Sequence, residues 1–200
     1  MKSIVRSYVR ACKACQTCKP VYQKPQAYMM TTTSQECLEL LACDYMGPMP
    51  ESTPRKYQYL LVLVDHFSKF VMLYPVRHAN SAVLCSIVNF CFCTFGPPVR
   101  FLSDNGPQFT CRRFQNFLKE WGVIQSFTTS YHPQSNFTER LNRNIKSMLA
   151  CFHHQKHTEW AFYIPEDQFA LNSVVHDTTK MSPAAIFFRR EFNQPGDSAT

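Results

Sequence analysis

Val99-Arg100-Phe101-Leu102-Ser103-Asp104-Asn105-Gly106-Pro107-Gln108-Phe109 runs from an apolar segment to an acid and then into a Gly-Pro turn. A brief apolar run bounded by turn residues suits a strand covered on both faces, so Val99 to Ser103 is predicted as a short buried strand. Asp104 then stands just past its end, a place where α/β sheets commonly carry their sites. Upstream, Leu38 to Asp44 predicts a first strand that also ends on an acid, closed by Gly47, Pro48 and Pro50. Downstream, Glu139 lies 35 positions after Asp104, inside a segment that reads as a long helix.

The elements between these acids define a fold class. Tyr57 to Asp65 and Lys69 to Val76 predict two strands joined by a short polar turn, an antiparallel hairpin. Asn80 to Phe95 has helical length, with Asn80 or Ser81 as cap and a stop at Gly96-Pro97-Pro98. Thr110 to Trp121 repeats Phe114, Phe117, Leu118 and Trp121 at helical spacing, and Gly122 ends it. Val123 to Phe127 predicts a fifth strand. Asn136 to Phe152 predicts the long helix, with Leu141, Ile145, Met148, Leu149 and Phe152 on one face. Trp160 to Val175 reads as helical with a break at Pro165, and Ser182-Pro183 opens a last short helix. Three strands, helix, strand, helix, strand and then helices imply an α/β fold: a five-stranded mixed sheet flanked by helices on both faces.

Composition narrows the function classes. A chain of 200 residues, 45% of them hydrophobic, can bury the core of one such domain, and a charged fraction of 18% is too low for a disordered chain. Residues 1–30 are basic and cysteine-bearing, then punctuated by Pro20 and Pro25, which reads as the tail of a preceding module plus a linker; residues 31–200 form the compact domain. The longest apolar run, Tyr59 to Val64, falls well short of the roughly 18 residues of a membrane span, so no membrane partner is expected. Lys2, Arg6 and Arg10 precede no apolar stretch, which argues against secretion and for a nuclear or cytoplasmic protein. In that setting the ten cysteines, among them Cys85, Cys91 and Cys93 in an apolar stretch, read as reduced core residues. A net charge of +7 favours a polyanionic partner.

Asp44, Asp104 and Glu139 supply three carboxylates. Clustered without a cation they would repel one another and raise their own pKa values. Such a set is costly as architecture and suits hard divalent cations, two of which, about 4 Å apart, can hold both ends of a phosphodiester displacement. Arg143 and Lys146 follow Glu139 at i+4 and i+7 on one helix face, where they can track a phosphate backbone. Asn105, Tyr131, His132, Gln134 and Asn142 add hydrogen-bonding or stacking groups for DNA. Taken singly, each residue also has a plainer reading. A strand-end Asp serves as a turn residue, Glu139 as a first-turn helix acid, and the Arg143/Lys146 stripe as a solvated face. Asp65 rivals Asp44 as the first ligand. His132, His153, His154 and His157 fit no standard metal spacing.

Several motifs occur in one order: Tyr8 to Gln16, Asp44 to Pro50, Val64 to Phe70, Phe95 to Pro98, Ser103 to Phe109, Tyr131 to Ser135, Glu139 to Arg143 and Met181 to Pro183. Together they resemble the integrase catalytic core of retroviruses and, most of all, of gypsy-type LTR retrotransposons. The resemblance implies an RNase H-like fold and two Mg²⁺ or Mn²⁺ ions held by Asp44, Asp104 and Glu139. It implies trimming of the element's DNA ends, then attack of the new 3′-hydroxyls on target DNA by a homo-oligomer. It also puts Asn142, Arg143 and Lys146 on the DNA side of the catalytic helix and makes Asp65 a recurring second-strand residue rather than a ligand.

Three departures qualify it. Cys12 and Cys15 retain the Cys-x-x-Cys of the family's zinc module with no histidine upstream, so zinc is not expected. The chain ends at Thr200, before the C-terminal DNA- or chromatin-binding domain of a full integrase. The step from Pro133 to Glu139 is one residue shorter than the family's usual interval. If the loop absorbs the loss, Glu139 reaches the metals; if the helix does, its side chain turns by about 100°. The alternative expectation is therefore an impaired or domesticated copy that binds nucleic acid or serves as a scaffold without turnover.

Overall fold

Leu60, Leu61, Val62, Leu63 and Val64 are all fully buried, because their strand, β2 (Tyr59–Asp65), has a neighbour on each side and side chains packed on both faces. A strand so placed alternates nothing and reads as a continuous apolar run. Each such side chain contributes about 1.5–3 kcal/mol on burial. The computed structural model describes residues 34–128, 145–148 and 158–193, together with Val5, Tyr8, Ala11 and Cys12. Its other strands are β1 (Leu40–Met46), β3 (Val71–Val76), β4 (Arg100–Ser103) and β5 (Ile124–Phe127), in the spatial order β3-β2-β1-β4-β5. β2 pairs antiparallel with β1 and β3, while β4 pairs parallel with β1 and β5. The mixed five-stranded sheet and its hairpin are as expected.

Helices cover both faces. One face meets α1 (Ser81–Phe95), α2 (Pro107–Thr110) and α3 (Arg112–Glu120), with Leu41, Cys43, Leu61, Leu63, Phe92 and Phe114 among its core. The other meets helical residues 145–148, a 3₁₀ turn (Trp160–Phe162) and α4 (Ile164–Ser173), over Met46, Leu60, Val62 and Val64. A last helix, α5 (Pro183–Phe188), is capped by Ser182, whose hydroxyl accepts from the Ala185 amide at 3.1 Å. Asn80 caps α1 in the same way, through Val83 N–H at 2.9 Å. Both caps satisfy otherwise orphaned helix amides, as short polar side chains at that position do.

The structure departs from expectation at four places. β1 begins two residues late because Leu38 takes a φ of 61° and turns its N–H to Asp65 Oδ1 at 2.8 Å. The strand then runs on to Met46, so Asp44 lies inside it rather than at its end. The helix predicted from Thr110 to Trp121 starts late, as α3 at Arg112, because Cys111 is extended (φ −69°, ψ 148°) and separates it from the short α2, which was not expected. That break lets Phe109 and Phe114 both enter the core, with ring centroids 6.1 Å apart. Pro165 does not interrupt a helix but sits in the first turn of α4, where its missing N–H costs nothing. Cys93 is exposed, unlike the buried Cys91 and Cys43.

The β2–β3 turn and the free side of β3 are both closed by side chains. Asp65, fully buried, accepts from Leu38 N at 2.8 Å, Ser68 N at 2.8 Å and Ser68 Oγ at 2.5 Å. Along β3, Asn172 of α4 accepts from Val71 N–H and donates to Val71 C=O, both at 2.8 Å, and Gln168 accepts from Leu73 N–H at 2.7 Å. Among the described residues no helix is long and apolar enough to cross a membrane.

Candidate active site

The parallel ladder of β1 and β4 pairs Leu40 with Arg100, Leu41 with Phe101 and Ala42 with Leu102. Carried two steps on, that constant offset brings Asp44, inside β1, level with Asp104, which follows the end of β4. The thiol of Cys43 reports the same proximity from beneath. Burial, then the Asp44 carboxylate and then that of Asp104, push its pKa well above the ordinary thiol value. Cys43 is therefore a buried thiol held protonated, with the charge of both acids opposing its ionisation.

Local bonds aim each acid. Asp44 Oδ1 accepts from the following amide, Tyr45 N–H, at 2.7 Å, and Asp44 is half-buried. Asp104 is exposed, and its Oδ1 accepts from Gly106 N–H at 2.9 Å. The Gly-Pro turn leaves no room for another residue: a Cβ on Gly106 would stand 2.9 Å from Asp104 Oδ1 and collide with the Gln108 amide. Gln108, to which sequence reasoning assigned no role, therefore ends beside the Asp104 carboxylate; its signal was the turn itself. Asn105 ties the loop down, its amide donating to Thr128 C=O at 3.3 Å while Thr128 N–H bonds Ser103 C=O at 2.8 Å.

Asp44 pairs across β1–β2 with Val62, whose side chain belongs to the second core face. Ile145, fully buried, packs in that same cluster. Helical residues 145–148 thus lie over the sheet face that carries Asp44, with Lys146 exposed. Among the expected site residues, Glu139, Tyr131, His132, Gln134, Asn142, Arg143 and Cys15 lie outside the described residues. Cys12 closes a helical turn, its N–H bonding Tyr8 C=O at 3.0 Å. Asp65, the rival ligand, spends its carboxylate on protein donors and is inaccessible. Among the described residues no group of three or more His, Cys, Asp or Glu forms a metal cluster; the site there consists of Asp44 and Asp104. A cleft of about 810 Å³ between β3, Phe95 and Ile164 lies apart from them, since neither acid lines it.

Known proteins resemble this chain in sequence and in fold. Residues 35–133 match the family described as integrase core domain. The Pro-Pol polyprotein of feline foamy virus is 31% identical over 196 residues, 98% of this chain and 17% of that protein. The Tf2-3 transposon polyprotein of Schizosaccharomyces pombe is 29% identical over 189 residues, 92% of this chain and 14% of that one. The chain thus spans less than a fifth of the length of either polyprotein. Among solved structures, the simian T-cell lymphotropic virus intasome superposes with a TM-score of 0.69 at 18% identity, covering 100% of this chain and 72% of that one. The HTLV-2 integrase catalytic core domain in complex with magnesium gives 0.63 at 22% identity, covering 78% and 99%. These two share its fold, the five-stranded mixed sheet of the RNase H-like class. By this match and these relatives, the chain belongs to the integrase core domain family.

Proposed function

We propose that this chain is the catalytic core of an integrase-type polynucleotidyl transferase, acting in DNA integration by trimming the 3′ ends of an element's DNA and joining them to target DNA. The observation that carries the proposal is the parallel β1–β4 pairing, Leu40–Arg100 to Ala42–Leu102, whose continuation supports Asp44 and Asp104 as neighbours within an integrase core domain. Their donor set fits hard divalent ions: carboxylate oxygens from within β1 and from the residue that follows β4, the second of them exposed. Asp44, Asp104 and Glu139 would hold two Mg²⁺ or Mn²⁺ ions, which supply charge neutralisation at the phosphoryl group and a lowered pKa for the attacking oxygen. Cys43 stays protonated below and adds no third charge.

Lys146 is exposed one residue after the buried Ile145, which supports it as a contact for DNA phosphate. Asn142 and Arg143 precede it in the sequence, and together with Asn105, Tyr131, His132 and Gln134 they complete the proposed DNA-binding set. The net charge of +7 suits that backbone term. Residues 1–30 supply the Cys12/Cys15 pair and a linker, and residues 31–200 serve as the core. The working form is a homo-oligomer on element ends and target DNA, a reading the intasome neighbour supports, in the nucleus or the cytoplasm.

Strand transfer from a pre-processed DNA end with Mn²⁺ tests the proposal. The unmodified chain joins ends, and Asp44→Asn, Asp104→Asn and Glu139→Gln each lose activity by about a hundredfold or more, the scale on which misplaced reacting groups act. If the unmodified chain and Glu139→Gln behave alike, the catalytic reading fails and a DNA-binding scaffold takes its place.

A further inference from the structure

Aromatic rings line the cleft of about 810 Å³ at the β3 edge. Phe90 and Phe95 enter it from α1, Phe162 from the 3₁₀ turn on the other sheet face, and Tyr57 and Tyr74 from the loop before β2 and from β3. Phe90 is 60% exposed and Phe162 71% exposed. Large apolar side chains left open around one concavity mark a binding surface. Among the described residues that line it, Arg55 alone is charged. The Arg77 guanidinium stands against the same loop, its Nε donating to the Arg55 carbonyl at 2.9 Å, and Lys56 between them in this cluster is exposed. Glu51, Glu159 and Glu166, the acids on the adjoining elements, do not line the cleft.

The floor of the cleft narrows the kind of occupant. At the alternate positions of β3 that face outward, Asn172 takes the Val71 N–H, Gln168 takes the Leu73 N–H, and Pro75 has none. An added peptide strand therefore finds no main-chain donor there. Recognition is left to exposed ring faces and to cations at one end. Stacking on aromatic rings beside a basic track is how unpaired nucleic acid is held, whatever its sequence. The strand registers also place the cleft relative to the acids. Asp44 is level with Val62, and Val62 with Leu73 on the cleft floor. Two strand spacings, roughly 10 Å, separate those backbones.

We propose that this cleft binds an unpaired segment of single-stranded DNA, with bases stacked on Phe90 and Phe162 and phosphates held by Arg55, Lys56 and Arg77. The inference rests on the reading above that Asp44 and Asp104 act on DNA, and it adds a second contact surface to that site. A strand that frays from a duplex end held at the acids reaches the cleft across β2 and β3. There the rings take its bases and keep it from pairing again.

The test is fluorescence anisotropy of the full chain with a labelled single strand and a labelled blunt duplex, both without divalent metal. Phe90→Ala and Phe162→Ala each weaken single-strand binding roughly tenfold and leave duplex binding unchanged. Phe162→Leu keeps apolar bulk without a ring face and loses as much, whereas Phe162→Tyr retains affinity. Arg55→Ala lowers the single-strand salt slope by about 0.7. A single strand carrying 5-iododeoxyuridine cross-links on irradiation to the peptide that holds Phe90 or Phe162. Unchanged single-strand affinity in Phe162→Ala, an equal loss on the duplex, or full affinity in Phe162→Leu would each overturn the proposal. A lower sedimentation mass of Phe162→Ala at unchanged affinity would overturn it in favour of a second copy of the chain. Binding is read without metal or turnover, so a failure of the catalytic reading leaves these outcomes distinct.

Discussion

Asp65→Ala removes one carboxylate that accepts three hydrogen bonds where no water reaches. A hydrogen bond to a charged group contributes about 1.5–3 kcal/mol, and a buried donor left without a partner costs about 1–3 kcal/mol. Two of the three donors, Leu38 N–H and Ser68 N–H, belong to the main chain and cannot be moved away. Because the lost bonds and the stranded donors describe one event, the two figures are not added. The loss comes to about 3–5 kcal/mol, against roughly 5–15 kcal/mol for a whole domain. Asp65→Asn keeps one acceptor oxygen but turns an NH₂ toward protein donors, so it loses about half as much. Urea denaturation followed by circular dichroism, with the slope checked for constancy, reads both values. Asp65→Ala within about 1 kcal/mol of the unmodified chain, the size of an ordinary point change, would refute the reasoning. A second readout bears on the metal site: Asp65→Asn keeps Mn²⁺ affinity and Asp44→Asn loses it, and the reverse would transfer the ligand role to Asp65.

Three further outcomes follow from the same contacts. Asn172→Leu strands the N–H and C=O of Val71 and lowers stability by about 2–4 kcal/mol in urea melts; no change would mean the β3 edge is satisfied otherwise. Burial, then the charge of Lys69, lowers the His66 pKa from 6.5 to about 4. The folded state therefore disfavours the proton, and the contribution of His66 is complete above pH 6.5 and is lost as pH falls toward 4. His66→Gln flattens stability across that window, and an unchanged pH profile would contradict the assignment. Lys146→Ala weakens DNA binding equally across sequences and reduces the salt slope by about one unit; an unchanged slope removes Lys146 from the contact.

Much of the sheet was legible because its signals are local. The apolar run Leu60 to Val64, the caps Asn80 and Ser182, and the stop at Gly96 each act over a few residues. What escaped depends on distant partners. Leu38 leaves the strand because Asp65, across the sheet, takes its N–H. Cys111 breaks a helix because Phe109 and Phe114 must both reach one core. Gln168 and Asn172 look like solvated helix positions until β3 is seen beside them. In the site, the order of acids was readable, but their adjacency rests on the register of β1 with β4. The shortened interval before Glu139 falls outside the described residues, so there the sequence spacing stands alone.

The amides of α4 on β3 also govern how copies of this chain can meet. A sheet edge with open N–H and C=O groups recruits any passing strand, whatever its sequence. Here Asn172 returns to Val71 the bonds a neighbouring strand would make, and Gln168 accepts from the Leu73 N–H. Association along that flank must then depend on side-chain shape and charge instead of main-chain pairing. Contacts of that kind discriminate between partners, so copies of this chain brought side by side would avoid fusing into an extended sheet along that edge.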